Sequence, residues 1–191
     1  MTAEQIKQLT LLLTSKGVHF DKGLIDGEVL EIETKFNFKF PPDLKIFLQT
    51  VLPASGSFVN WRLGLKIKSE YERINLRLNG PLAGMLFDLK SNDFWVDSWG
   101  SRPDKYEDKV AIAKKFYETY PKLIPIYSHR YIPSQPNENG NPVFSVHQMD
   151  IIYYGFDLAT YFANEFNFTL TKEFEKPKKP KKIIFFWSDY T

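Results

Sequence analysis

A few short stretches hold the side chains with which this chain could do chemistry: Trp61-Arg62, Trp95 to Trp99 with Asp97 between the rings, and Ser128-His129-Arg130-Tyr131. Three histidines, His19, His129 and His147, complete the set. None has a second histidine three to five residues away, the spacing of many local metal sites, so no metal centre is expected. Ser128 and His129 have the types of a nucleophile and its base, but neighbours on a strand point to opposite faces, which argues against a hydrolytic pair. On a strand, Trp95, Asp97 and Trp99 would share one face. That face is either a covered central strand or a Trp-lined groove, Trp being a common interface anchor. Arg62 either pairs with a carboxylate or stacks on a ring inside the domain, or it faces a partner. His129, Arg130 and Tyr131 precede a proline-rich loop, and loops on a rigid scaffold often carry contacts. We take Trp61, Arg62, Trp95, Asp97, Trp99, His129, Arg130 and Tyr131 as candidate partner-binding residues. No catalytic residue, cofactor or metal ligand is expected. Phosphate-loop, dinucleotide, zinc-protease and nucleophile-elbow motifs are all absent from the sequence.

The bulk composition narrows the classes further. The absence of cysteine excludes disulfides, thiolate metal sites and a cysteine nucleophile. The net charge of +2 is uneven: residues 172–191 hold six lysines and three acids, so the rest is close to neutral. A broad basic face for nucleic acid does not follow. The lysines of the tail alternate with prolines and read as a solvated arm rather than a membrane or nucleic-acid contact. No apolar run approaches the length of a spanning helix, and Met1 to Gln5 lacks the basic and apolar regions of a signal peptide, so a cytoplasmic protein is expected.

These residues need a scaffold. A chain of 191 residues suits one domain, and 17 Phe, 10 Tyr and 4 Trp provide large burial per residue. Thr2 to Gln5 has capping-box spacing ahead of Ile6, Leu9, Leu12 and Leu13, predicting a first helix. A second is predicted from Asp26, with Ile25 and Leu30 placed to close a staple, and a third from Pro41-Pro42. Strands are predicted over 58–62, 84–88, 94–96, 123–128, 143–147 and 151–154. Residues 67–79 read as an edge strand or irregular excursion, because Ile74, Leu76 and Leu78 alternate. A helix follows Pro103-Asp104, residues 133–142 form a loop, and Asp157 caps a last helix. The order argues α+β, with helices on a mainly antiparallel sheet. We divide the chain into a domain over 1–171, and a Lys/Pro-rich linker with an apolar end over 172–191. Ile183 to Trp187 would be costly to leave in water and should dock.

Several ordered segments together resemble the SUKH superfamily (Smi/Knr-like). They are the acidic second helix with Glu28, Glu31 and Glu33, Phe40-Pro41-Pro42-Asp43-Leu44, Trp61-Arg62, Leu123-Ile124-Pro125-Ile126, Asn141-Pro142-Val143-Phe144 and Asp150 to Tyr154. That family joins bacterial immunity proteins of polymorphic toxins to fungal regulators of cell-wall synthesis. The resemblance implies a strongly curved, mainly antiparallel sheet with helices packed on one side. It also implies a non-enzymatic protein that neutralises a cognate toxin domain, often a nuclease or deaminase, by tight binding. Alternatives are a regulatory adaptor for an endogenous protein and a small-ligand-binding domain that uses Trp95, Asp97 and Trp99. Tyr127 to Arg130 replaces a Gly-Asp step frequent in the family, and the aromatic run 93–100 has the look of a branch-specific feature. Both lie where immunity proteins diversify.

Overall fold

The computed structural model describes all 191 residues. Helix α1 (Ala3–Ser15) starts at the expected capping box: Gln5 N–H donates to Thr2 Oγ1, and Thr2 N–H donates to Gln5 Oε1. Strand β1 (Phe20–Lys22) leads to α2 (Asp26–Lys35). Ile25, not Asp26, holds the cap position there, and Glu28 reaches back to accept from its N–H at 3.0 Å. Ile25 and Leu30 close no staple, each being 60% exposed. Helix α3 (Pro42–Thr50) begins on proline, as expected where a missing N–H costs nothing, and runs into β2 (Val51–Pro53), which pairs antiparallel with β1.

The middle of the chain departs from the expected strands. Residues 61–91 are helical, in α4 (Trp61–Lys66) and α5 (Lys68–Ser91). Phe58 makes only an isolated bridge to Tyr127, and Asn60 caps α4 by accepting from Leu63 N–H. The alternation over 74–78 misleads because Leu76 is 74% exposed. The buried residues Ile74, Leu78, Pro81, Met85 and Leu89 instead follow helical spacing. Pro81 lies inside α5 and has no N–H for the carbonyl of Arg77. The Tyr131 hydroxyl donates to that carbonyl at 3.0 Å, so a side chain from the sheet supplies the missing bond. The segment 94–96 is irregular, followed by a 3₁₀ turn (Asp97–Trp99) and α6 (Tyr106–Tyr117).

The second half is a four-stranded antiparallel meander: β3 (Leu123–Tyr127), β4 (Arg130–Pro133), β5 (Val143–His147) and β6 (Asp150–Gly155). Strand β4 is not among the predicted strands, and it ends at Pro133, where the predicted loop begins. Asp157 caps α7 (Leu158–Glu165) as expected, accepting from Thr160 N–H at 2.7 Å. The protein is therefore α+β, as expected, but the helices cover both faces of the sheet rather than one. Ile124, Ile126, Ile132 and Val143 join the cluster built from α1 to α4, the first half of α5 and α7. Leu123, Tyr131, Phe144, Val146 and Ile151 join α5, α6 and the C-terminal segment. Gly84 lets α5 lie against the β5–β6 turn, since a Cβ there would come within 2.7 Å of Gln148 Cα.

Residues 172–191 are packed on the rest of the chain. Ile184, Phe186 and Trp187 are buried, Phe186 stacks on Tyr120 at 3.8 Å, and Trp187 Nε1 donates to the Pro121 carbonyl at 2.7 Å. No helix is long and apolar enough to cross a membrane.

Candidate partner-binding site

An open cleft of about 920 Å³ lies between the end of α2, the end of α6 and the loop after β4. Its position follows from local chemistry. Asn37, with φ of 54°, turns the chain out of α2, and Pro121 follows the end of α6. The loop 133–142 is fastened by side chains at three points. Asn141, fully buried, donates to the carbonyls of Pro133 and Pro136. Asn137 donates to the Phe40 carbonyl, and Gly140 N–H donates to Asp43 Oδ2, both at 2.9 Å. The wall is therefore pre-formed.

Its lining is partly aromatic, from Phe38, Tyr117 and Tyr120, and otherwise mostly polar, with Glu118, Ser134, Gln135 and Asn137 among the polar residues. Burial pushes the phenols of Tyr117 and Tyr120 up, so both stay protonated at neutral pH. Lys122 donates to the carbonyls of Phe36 and Asn37 at 3.0 and 3.2 Å, and burial holds its pKa below the usual lysine value. Glu33 is occupied by Lys39 at 2.7 Å and the Phe40 N–H at 3.0 Å. Much of the charge is thus committed to shaping the cleft.

The C-terminal segment adjoins the cleft at Tyr120 and at the loop 133–142 without lining it. Lys182 donates to the Asn139 carbonyl at 2.7 Å and pairs with Glu138 at 3.1 Å, tying the segment to the same loop. Phe185 packs edge-on against Tyr120 at 5.6 Å. Ile183 and Phe185 face out, 75% and 64% exposed. Two large apolar groups are thus exposed on the segment that adjoins the cleft, and exposed apolar side chains are common contact points.

The residues singled out from the sequence do not form this site. Trp61 is only 2% exposed and sits among Phe36, Phe38 and Phe40 at 5.3 to 5.8 Å. Arg62 is bidentate to Glu28 at 2.6 and 2.9 Å and also donates to the carbonyls of Lys22 and Gly23, which is the internal one of its two readings. Trp95 and Trp99 do not flank Asp97 on a strand. Their rings meet edge-on at 5.1 Å, Trp99 Nε1 donates to Tyr120 Oη at 2.7 Å, and Asp97 is exposed in the 3₁₀ turn. Arg130 is buried: it donates to Glu165 and Ser145 Oγ, each at 2.8 Å, and lies 3.8 Å over the Tyr154 ring. Tyr131 is buried too, its hydroxyl spent on α5.

His129 alone of its trio is exposed, on the β3–β4 turn. The expectation that Ser128 and His129 diverge rests on a strand that ends earlier. Ser128 has φ of 47°, and the turn brings its Oγ within 3.1 Å of His129 Nδ1. Burial first, then the charges of Arg130 and His147, hold the imidazole pKa down. A catalytic base of this type is instead oriented by a carboxylate.

Sequence reasoning passed over Tyr117, Tyr120 and Glu118 as helix residues, and treated 183–187 only as a segment to be buried. All five residues of that segment are apolar, so no alternation in the sequence marks which of them face out. Comparison with family models, with curated proteins and with solved structures finds no match.

Proposed function

We propose that this protein is a non-enzymatic binding protein of the SUKH kind, which neutralises a cognate toxin domain, such as a nuclease or deaminase, inside the cytoplasm of the producing cell. The observation that carries the reading is the pre-formed cleft, with an exposed Phe185 packed on its lining residue Tyr120. Rigid surfaces with apolar anchors bind without the cost of ordering themselves. The placement of the segments behind the family resemblance supports it further. Phe40 packs on Trp61 at 5.3 Å, Asp43 accepts from Gly140 beside Asn141, and Pro125 and Ile126 line a small apolar gap with Leu44 and Trp61. Neutralisation would be steric: the toxin's site is covered, and no bond is made or broken.

The test is affinity capture of the tagged full chain from its native host, with mass spectrometry, followed by co-expression with any toxin-like domain recovered. A stoichiometric complex and rescued growth are expected. Recovery of housekeeping proteins alone, with no toxin bound or neutralised, would overturn this reading in favour of the adaptor.

A further inference from the structure

Helix α5 is buried along one side only. Ile74, Leu78, Met85 and Leu89 join the two core clusters, and Pro81 is buried between them. A helix turns about 100° per residue, so residues seven and eleven apart return to nearly one line. Leu76, Ala83 and Phe87 have that spacing, and all three are exposed. Leu76 and Phe87 leave 74% and 50% of their surface in water. A single exposed apolar side chain is ordinary, but a row of them along a helix marks a contact face. Glu72 and Lys90 stand at the two ends of the same line, with Asn79 beside Ala83, and all three are exposed.

This row is self-complementary. Glu72 and Lys90 each stand nine residues from Pro81, Leu76 and Phe87 five and six, and Asn79 and Ala83 two. Turned end for end about that midpoint, the row meets itself with unlike partners: Glu72 on Lys90, Leu76 on Phe87 and Asn79 on Ala83. The two bulky residues lie about 16 Å apart along the axis. The smaller side chains between them let a second helix approach at the middle, where packed helices need about 8–10 Å between axes. The charges at the ends are available. Lys90 pairs with no carboxylate, and Glu72 holds only the exposed Lys68, at 3.8 Å. Arg73, at the border of the row, is already held by Glu70 at 2.5 Å.

We infer that the outer face of α5 is an interface for a second copy of this chain, the two helices lying antiparallel about a two-fold axis level with Pro81. A two-fold interface is isologous, so each residue must suit the residue that faces it from an identical surface. The row meets that condition in charge, in bulk and in the small residues at its centre. A helix of another protein has no reason to carry the same charges in inverse order at the same distances; a second copy carries them by necessity. No residue of α5 lines the cleft, so this inference stands apart from the binding-protein reading.

The experiment is sedimentation velocity of the full chain at low salt over a range of concentrations. A reversible dimer is expected, and Leu76→Glu should weaken it by about tenfold or more. Glu72→Lys and Lys90→Glu set like charges against each other at both ends of the interface, and each should weaken association by about tenfold. Mixed in equal amounts, these two variants set Lys against Glu at both ends, so the mixture should recover wild-type association. Parallel helices, or an interface elsewhere, would gain nothing from mixing. All three substitutions change exposed helix side chains, and an unchanged melting temperature certifies the fold. A chain that stays monomeric at every concentration would overturn the inference. So would a dimer indifferent to Leu76→Glu, or paired variants that mixing does not rescue. Capture of a foreign amphipathic helix by a monomer, through Leu76 and Phe87, would assign the face to another protein instead.

Discussion

Trp61 and Trp187 are about equally buried, 2% and 1% exposed, yet they close different kinds of cluster. Trp61 is ringed by Phe36, Phe38 and Phe40 from the segment after α2, and the next residue, Arg62, clamps Glu28. Trp187 finds its partners much farther back, in Tyr117, Tyr120 and the carbonyl of Pro121. One is the centre of the larger core, the other a clasp fastened from the end of the chain. A core residue reports on the whole fold. A clasp reports on what it holds shut.

The sharpest way to break this distinction is Trp61→Ala. Truncating a buried Trp costs about 3–5 kcal/mol. The loss should appear in urea unfolding as one transition at lower denaturant, with both clusters lost together. Trp187→Ala should cost somewhat less, about 3 kcal/mol, part of it from the Pro121 carbonyl losing its partner. Its signature is local: limited trypsin should cut within Lys176 to Lys182 before the rest of the chain unfolds. Equal protection of that run in wild type and variant would make Trp187 an ordinary core residue.

Arg62 sharpens the Trp61 side of the comparison through pH. Its hydrogen bonds, the largest influence, hold the Glu28 carboxyl at about 2, against an ordinary value of 4.5. A depressed carboxylate stabilises the fold above its unfolded pKa, and that contribution is lost as pH falls toward the folded value. Arg62→Met should therefore cost about 1 kcal/mol at neutral pH, the screened worth of a partly solvated pair. The gap from wild type should narrow between roughly pH 5 and pH 2. A gap independent of pH would mean that Arg62 acts through its carbonyl contacts alone. Smallest of all, Ile183→Ser/Phe185→Ser should shift stability by no more than about 0.5 kcal/mol, the usual range for surface changes. A large loss would place these side chains in the clasp rather than on a contact surface.

The candidate site was legible only in part. The docking of 183–187 could be foreseen because five large apolar residues in a row are costly in water. Which of them face out could not, because the turn at Phe186 depends on Tyr120 and Pro121. Trp95, Asp97 and Trp99 were read on a strand, yet Trp99 is drawn in by Tyr120, and no groove forms around Asp97. Arg130 and Tyr131 looked like loop contacts because their acceptors, Glu165 and the Arg77 carbonyl, are remote in sequence.

What the sequence determined by itself is what neighbours within a turn can decide. It set the Thr2 and Asp157 caps, the proline start of α3, the extent of β5 and the α+β class. These depend on side chains reaching adjacent backbone groups, or on apolar spacing along one element. Tertiary structure decided the rest. It made residues 68–91 a helix despite Gly80-Pro81, since Tyr131 supplies the bond that proline cannot. It also placed helices on both faces of the sheet and turned Ile183 and Phe185 outward. Each of those outcomes is fixed by a partner distant in the chain, and local periodicity carries no record of such partners.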